Sequence, residues 1–85
     1  MLSEQIKEKI KKSLPDSIIT IIDFSEEHED HHAPGAHIAL TVVDKTFEGK
    51  SLSEQHQVIY EILKEEIKNE TIHALRIRTK TKENE

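Results

Sequence analysis

Cysteine is missing from this chain of 85 residues. That excludes a disulfide framework and any thiolate of the chain's own, so a metal bound here must be held by histidine or carboxylate, or shared with a partner's sulfur. Long apolar runs are missing too. None approaches the roughly 20 residues that a bilayer-spanning helix needs, and residues 1 to 15 alternate charged and apolar side chains instead of building a signal-peptide core. The expectation is a soluble cytoplasmic protein without membrane contact. Glycine occurs twice, and neither copy lies in a glycine-rich loop of the kind that cradles a phosphate. Nor is there an excess of positive charge: 12 Lys and Arg against 17 Asp and Glu give a formal net charge of -5, which opposes non-specific attraction to nucleic acid. A chain this short buries only roughly 60% of its unfolded surface, which leaves room for one core and none for a deep cleft.

What is present is periodic. Ile6, Ile10 and Leu14 recur at helical spacing behind Ser3, which can cap, and Leu2, which sits where a hydrophobic staple would. Lys7, Glu8, Lys11 and Lys12 form the opposite face, and Pro15-Asp16 stops the helix because the ring removes a donor and restricts the residue before it. Ser17 to Phe24 is rich in β-branched residues and apolar on both parities, which predicts a strand covered on part of both faces. Ser25 to Ala36 is polar, histidine-rich and closed by Pro34-Gly35, a loop.

His37 to Asp44 is the next predicted strand, with Ile38, Leu40 and Val42 on one parity and His37, Ala39, Thr41 and Val43 on the other. Gly49 breaks the pattern and Ser51 or Ser53 caps one long helix, on which Leu52, Ile59, Leu63 and Ile67 trace a face broadened by Tyr60 and Ile62. Glu54, Glu61, Glu65 and Glu66 mark its solvated side, and Asn69-Glu70 ends it. Ile72 to Thr81 reads as a last strand with Leu75 and Ile77 inward and Arg76, Arg78 and Lys80 outward, before a frayed tail over residues 82 to 85. The order helix, strand, strand, helix, strand predicts one α+β sandwich domain over residues 1 to 81, with room for a short helical turn at either end of the long helix. The first two strands pair antiparallel and the crossover brings the third in parallel, so the three-stranded sheet is mixed and carries its helices on one face.

Three segments carry a family resemblance: Phe47-Glu48-Gly49-Lys50-Ser51-Leu52, the His56-x-x-x-Tyr60 spacing behind it, and Ile72-His73-Ala74-Leu75 followed by alternating basic residues and threonines. Together they resemble the BolA-like family, and the likeness runs from about residue 2 to residue 81. It implies a type II KH-like fold, association with monothiol glutaredoxins of the CGFS type, and iron-sulfur cluster handling. The Gly-x-x-Gly loop with which KH modules clamp an RNA backbone is absent, since the helix entrance reads Gly49-Lys50-Ser51-Leu52.

The chain holds 6 histidines. His28, His31 and His32 share a short stretch with Glu26, Glu27, Glu29 and Asp30, which suits either a cation site or a plain solvated acidic connector. His73 falls on the parity of Leu75 and Ile77, where a lone histidine ordinarily packs and satisfies its nitrogens on carbonyls. His56 and His37 read as structural histidines bonded to carbonyl oxygens. The resemblance implies a different role for two of the six. It makes His73 a ligand of a 2Fe-2S cluster shared with glutaredoxin and its glutathione, and a loop histidine the other, with His28 the best match and His31 and His32 as alternatives. An imidazole in place of a thiolate raises a cluster's reduction potential.

Arg76, Arg78 and Lys80 form a positive stripe that fits an acidic partner patch, glutathione carboxylates or phosphate. Lys50 and Lys64, at the entrance of the long helix and on it, are the cations assigned to a DNA-binding alternative, and they stand among Glu54, Glu61, Glu65 and Glu66. Ser51 and Ser53 lie near His56, but both are good caps and no orienting acid or oxyanion hole accompanies them, so no enzyme is expected. The expectation is a non-enzymatic adaptor, monomeric and without cofactor when isolated, that pairs with a monothiol glutaredoxin, with DNA-binding transcriptional regulation as the second reading.

Overall fold

Helix α1 (Leu2–Ser13) opens the chain, and β1 (Ile18–Asp23), β2 (Ala36–Val43), a 3-10 turn (Lys45–Phe47), α2 (Leu52–Ile62), α3 (Lys64–Lys68) and β3 (Ile72–Lys80) follow. The computed structural model describes residues 2–24 and 35–83. Helix α1 turns Ile6 and Ile10 into the core, and Leu2 packs against the core's edge. Because the helix begins at Leu2, Ser3 lies inside its first turn and does not precede it as the cap expected from the sequence. At its far end the chain turns through Pro15-Asp16, and fully buried Ser17 closes the turn by donating its hydroxyl to the Leu14 carbonyl at 2.7 Å.

The sheet has the order β1-β2-β3. β1 runs antiparallel to β2 and β3 runs parallel to it, the mixed sheet that the connections require. On β2 the alternation is strict: Ala36, Ile38, Leu40 and Val42 are buried, while His37, Ala39, Thr41 and Val43 face the other side. The buried set meets Phe47, Ile59 and Leu63, each with 0% exposure, and Ile6 and Ile10 from α1. All three helices cover this one face, and among the described residues no helix covers the other.

Three expectations need correction. β1 is covered on one face only: Ile19 is 8% exposed, but Ile18 and Ile22 are 47% and 51% exposed, because no helix of the described residues lies on their side. Leu52 and Tyr60, assigned to the apolar face of the long helix, are 64% and 45% exposed. Leu52 is the first residue of α2, and Tyr60 follows fully buried Ile59, about 100° further round the helix. The long helix itself is two. Leu63 has φ -101° and ψ 14°, outside the helical region, and separates α2 from α3. Hydrogen bonding nevertheless runs through the break, from the Leu63 N–H to the Ile59 carbonyl and from the Ile67 N–H to the Leu63 carbonyl, both at 3.0 Å. The bend lets Leu63 be wholly buried while α3 turns to offer Glu66 to Lys9 of α1 at 2.7 Å.

Candidate metal-binding site at the start of β3

The last turn before β3 is built from short polar side chains. Asn69 accepts from the Thr71 N–H at 3.0 Å and from the Thr71 hydroxyl at 2.6 Å, an Asx-type turn that reverses the chain after α3. Glu70 takes a left-handed conformation with φ 63°. Opposite it, Gly35 has φ 89°, and a Cβ there would collide with the Glu70 carbonyl oxygen and stand 3.0 Å from the His73 Cβ. Only glycine permits both the backbone conformation and this approach. The Ala36 N–H then donates to the Thr71 carbonyl at 2.9 Å and joins the two strands.

The register slips immediately afterwards. Ala36 pairs with Ile72 but His37 pairs with Ala74, so His73 is an extra residue, opposite no one. This bulge corrects the expected parity. Ile72, Leu75 and Ile77 share the covered face with Ala36, Ile38 and Leu40, whereas His73 is exposed and is not packed with Leu75 and Ile77. Across the strand boundary stands half-buried His37, with its ring centroid 5.3 Å from that of His73 and the ring planes tilted by 37°. Two imidazoles on one tetrahedral metal, with metal–nitrogen bonds of about 2.0–2.1 Å, hold their centroids about 5 Å apart. The pair has that separation, which is also that of two rings in ordinary contact. Among the described residues no group of three or more histidines and carboxylates could hold a metal ion.

His37 is the residue that sequence reasoning treated as structural. It stands second in β2 as His73 stands second in β3, and parallel pairing brings these strand starts together. His28, His31 and His32 lie outside the described residues. His56 was expected to bond to a carbonyl, but its Nε2 is buried and has no hydrogen-bond partner in the structure. The adjacent Gln55 holds the turn instead, donating to the Phe47 and Lys50 carbonyls at 3.2 and 3.0 Å and accepting from the Thr79 hydroxyl at 2.5 Å.

The cations divide into two settings. Arg76 and Arg78 are exposed on the open face of the sheet, paired across to Ala39 and Thr41, and Lys80 lies beyond them opposite Val43. Lys50 and Lys64 sit among carboxylates. Lys64 bonds to Glu61 at 3.0 Å, and that hydrogen bond, with the charges of Glu61 and Glu65, raises its affinity for a proton. Ser51 caps α2 in a reciprocal box with Glu54. The Ser51 backbone N–H, then its hydroxyl, hold the Glu54 carboxyl below its ordinary range, which fixes negative charge beside Lys50. No helix of the described residues is long and apolar enough to cross a membrane.

Residues 10–84 match the family model described as BolA-like protein. Among curated relatives, the chain is 36% identical to a BolA-like protein of Dictyostelium discoideum, covering 94% of this chain and 70% of that one. It is 30% identical to the DNA-binding transcriptional regulator BolA of Escherichia coli, covering 95% and 76%. SufE-like protein 1 of Arabidopsis thaliana, chloroplastic/mitochondrial, is 35% identical over 91% of this chain, which spans only 23% of that longer protein. The solved BolA domain of SufE1 from Arabidopsis superposes with a TM-score of 0.78 at 36% identity, covering 91% of this chain and 87% of that domain.

Proposed function

This chain belongs to the BolA-like protein family, and on that premise we propose that it is a non-enzymatic adaptor that completes a 2Fe-2S cluster with a monothiol glutaredoxin. The observation that carries the reading is the His37–His73 pair, two imidazoles with centroids 5.3 Å apart at a strand boundary in a chain without cysteine. His73 supplies one ligand. The second comes from His37, supported by that separation, or from loop His28, with His31 and His32 as substitutes, supported by the family likeness. The partner contributes its cysteine and a bound glutathione thiolate, which makes four ligands in all.

The chain's own part is positional. Gly35 and the bulge fix where His73 stands, and the neighbouring strand fixes His37, so little ordering is left to do when the partner arrives. Arg76, Arg78 and Lys80 continue the same sheet and offer positive charge to a partner's carboxylates or to glutathione. The cluster, when bound, supplies one-electron redox chemistry, and neutral imidazoles in place of thiolates raise its potential. Ligation requires an unprotonated imidazole, so acid releases it.

A visible absorption and circular dichroism spectrum tests this, taken after mixing the protein with a cluster-loaded glutaredoxin. The expected result is a spectrum distinct from that of the glutaredoxin homodimer. An unchanged homodimer spectrum at excess of this chain contradicts the adaptor reading.

A second reading, DNA-binding regulation, is favoured by the printed name of the Escherichia coli relative. It is opposed by the net charge of -5 and by the carboxylates around Lys50 and Lys64.

A further inference from the structure

The open face of the sheet is graded from apolar to cationic. Reading straight across the three strands, the rows are Ile18–Val43–Lys80, Thr20–Thr41–Arg78 and Ile22–Ala39–Arg76. Each row begins with an isoleucine or threonine on β1, passes a small or β-branched residue on β2 and ends on a cation. In a chain with 17 Asp and Glu, none of these positions carries a carboxylate. The two ion pairs among the described residues, Lys9–Glu66 and Lys64–Glu61, belong to the helices and involve none of the three cations. Between Arg76 and Arg78 a shallow hollow opens over the short side chains of Ala39 and Thr41.

We infer that this face docks an amphipathic, acidic helix of a partner protein. The spacings agree. Alternate residues of β3 are about 6.6 Å apart, and carboxylates at every fourth position of a helix rise by about 6 Å, so one acidic flank can meet Arg76, Arg78 and Lys80 in turn. The outer strands stand about 10 Å apart, close to the width of one helix, which places its apolar stripe over Ile18, Ile22 and Val43. The hollow between the arginines receives a carboxylate with both guanidinium groups as donors.

Charge selects this occupant over the others. A second copy docked by the same face would set the cations against its own cations or against its isoleucines, and in neither case against a carboxylate. A nucleic acid would meet the cations but leave the half-exposed isoleucines against phosphate, and the three rows offer no aromatic ring to a base. The surface needs no metal, so the inference stands whether or not the cluster reading holds.

The test uses the whole, metal-free chain with EDTA present. The probe is a fluorescent synthetic helical peptide with leucines along one stripe and glutamates on one flank, and the controls are the same peptide with lysines in place of the glutamates and a short DNA duplex. Micromolar binding of the glutamate peptide is expected, weakened by salt, with backbone NMR shifts confined to the three rows. The double change Arg76→Glu with Arg78→Glu should weaken binding at least about tenfold, because two favourable surface pairs become repulsive. Ile22→Ser should weaken it about threefold without changing the salt dependence. His73→Ala should bind the peptide like the unaltered chain, which separates this surface from the cluster site. Equal affinity for the lysine peptide, shifts on the helical side, or tighter binding of duplex DNA through the same rows would each overturn the inference.

Discussion

His73 owes its place to neighbours that do no chemistry. Gly35 has φ 89° and leaves no room for a Cβ against the Glu70 carbonyl and His73. Gly35→Ala should therefore destabilise the protein by more than about 1 kcal/mol, since strain adds to the lost glycine conformation. It should also displace the His73 ring, which ring-proton NMR shifts of both histidines would report. An unmoved His73 in a folded variant would show that the bulge does not depend on this contact. His73→Ala, by contrast, removes an exposed side chain, so the fold should persist with a melting temperature close to the original, while the shared cluster becomes shorter-lived by about 10–100-fold. At this scale the sequence was half legible. His73 was singled out by the Ile72-His73-Ala74-Leu75 segment, but parity reasoning buried it. A bulge changes parity by one residue and leaves no mark in residue types, so only the register reveals it. The nearness of His37 to His73 is not legible in the sequence, because the two are 36 residues apart, His37 to His73.

Among the elements, the strands were the easiest to foresee and the long helix the hardest. β2 alternates residue by residue, and both its extent and its faces follow from period two. The break at Leu63 follows no proline or glycine and no gap in apolar spacing. It arises because burying Leu63 completely and bringing Glu66 to Lys9 requires a bend, a tertiary demand that local propensity does not express. That ion pair has a consequence for pH. Burial pushes the Glu66 carboxyl up, but the hydrogen bond and charge of Lys9, together with a hydrogen bond from the Glu66 backbone, outweigh it and leave the group below its ordinary value of 4.5. A lowered carboxyl contributes stability above the unfolded value, and the contribution is lost as pH falls through the folded one. The melting temperature should therefore drop below about pH 4.5, and Glu66→Gln should flatten that part of the curve while also lowering stability near neutrality. Identical acid limbs for the two proteins would mean that the α1–α3 contact does not depend on this charge.

For the whole molecule, one small core carries the fold. At about 0.05–0.15 kcal/mol per residue the total stability is about 4–13 kcal/mol, and truncating a fully buried phenylalanine costs about 3–5 kcal/mol. Phe47, at 0% exposure, joins the 3-10 turn to the helical layer, so Phe47→Ala should leave a marginal or unfolded protein at 37 °C by circular dichroism. A variant that melts like the original would place the core elsewhere. The net charge of -5 should keep duplex DNA binding near the non-specific range of about 10⁻⁴ to 10⁻⁶ M at physiological salt. Nanomolar, sequence-selective binding would reverse the order of the two functional readings. The layered α+β architecture was legible throughout, because strand order follows from one hairpin and one right-handed crossover. The open face was not, since apolar residues on both parities of β1 suggested cover that no helix of the described residues provides.

The central claim is that imidazoles of this chain ligate a cluster shared with a glutaredoxin. The most direct measurement is pulsed electron paramagnetic resonance of the reduced mixed complex, with only this chain carrying ¹⁵N-histidine. The account expects nitrogen couplings that change with the label, that fall in number in His73→Ala, and that fall again when His37 or the loop histidines are also replaced. Couplings indifferent to the label, with a cluster still bound, would contradict it.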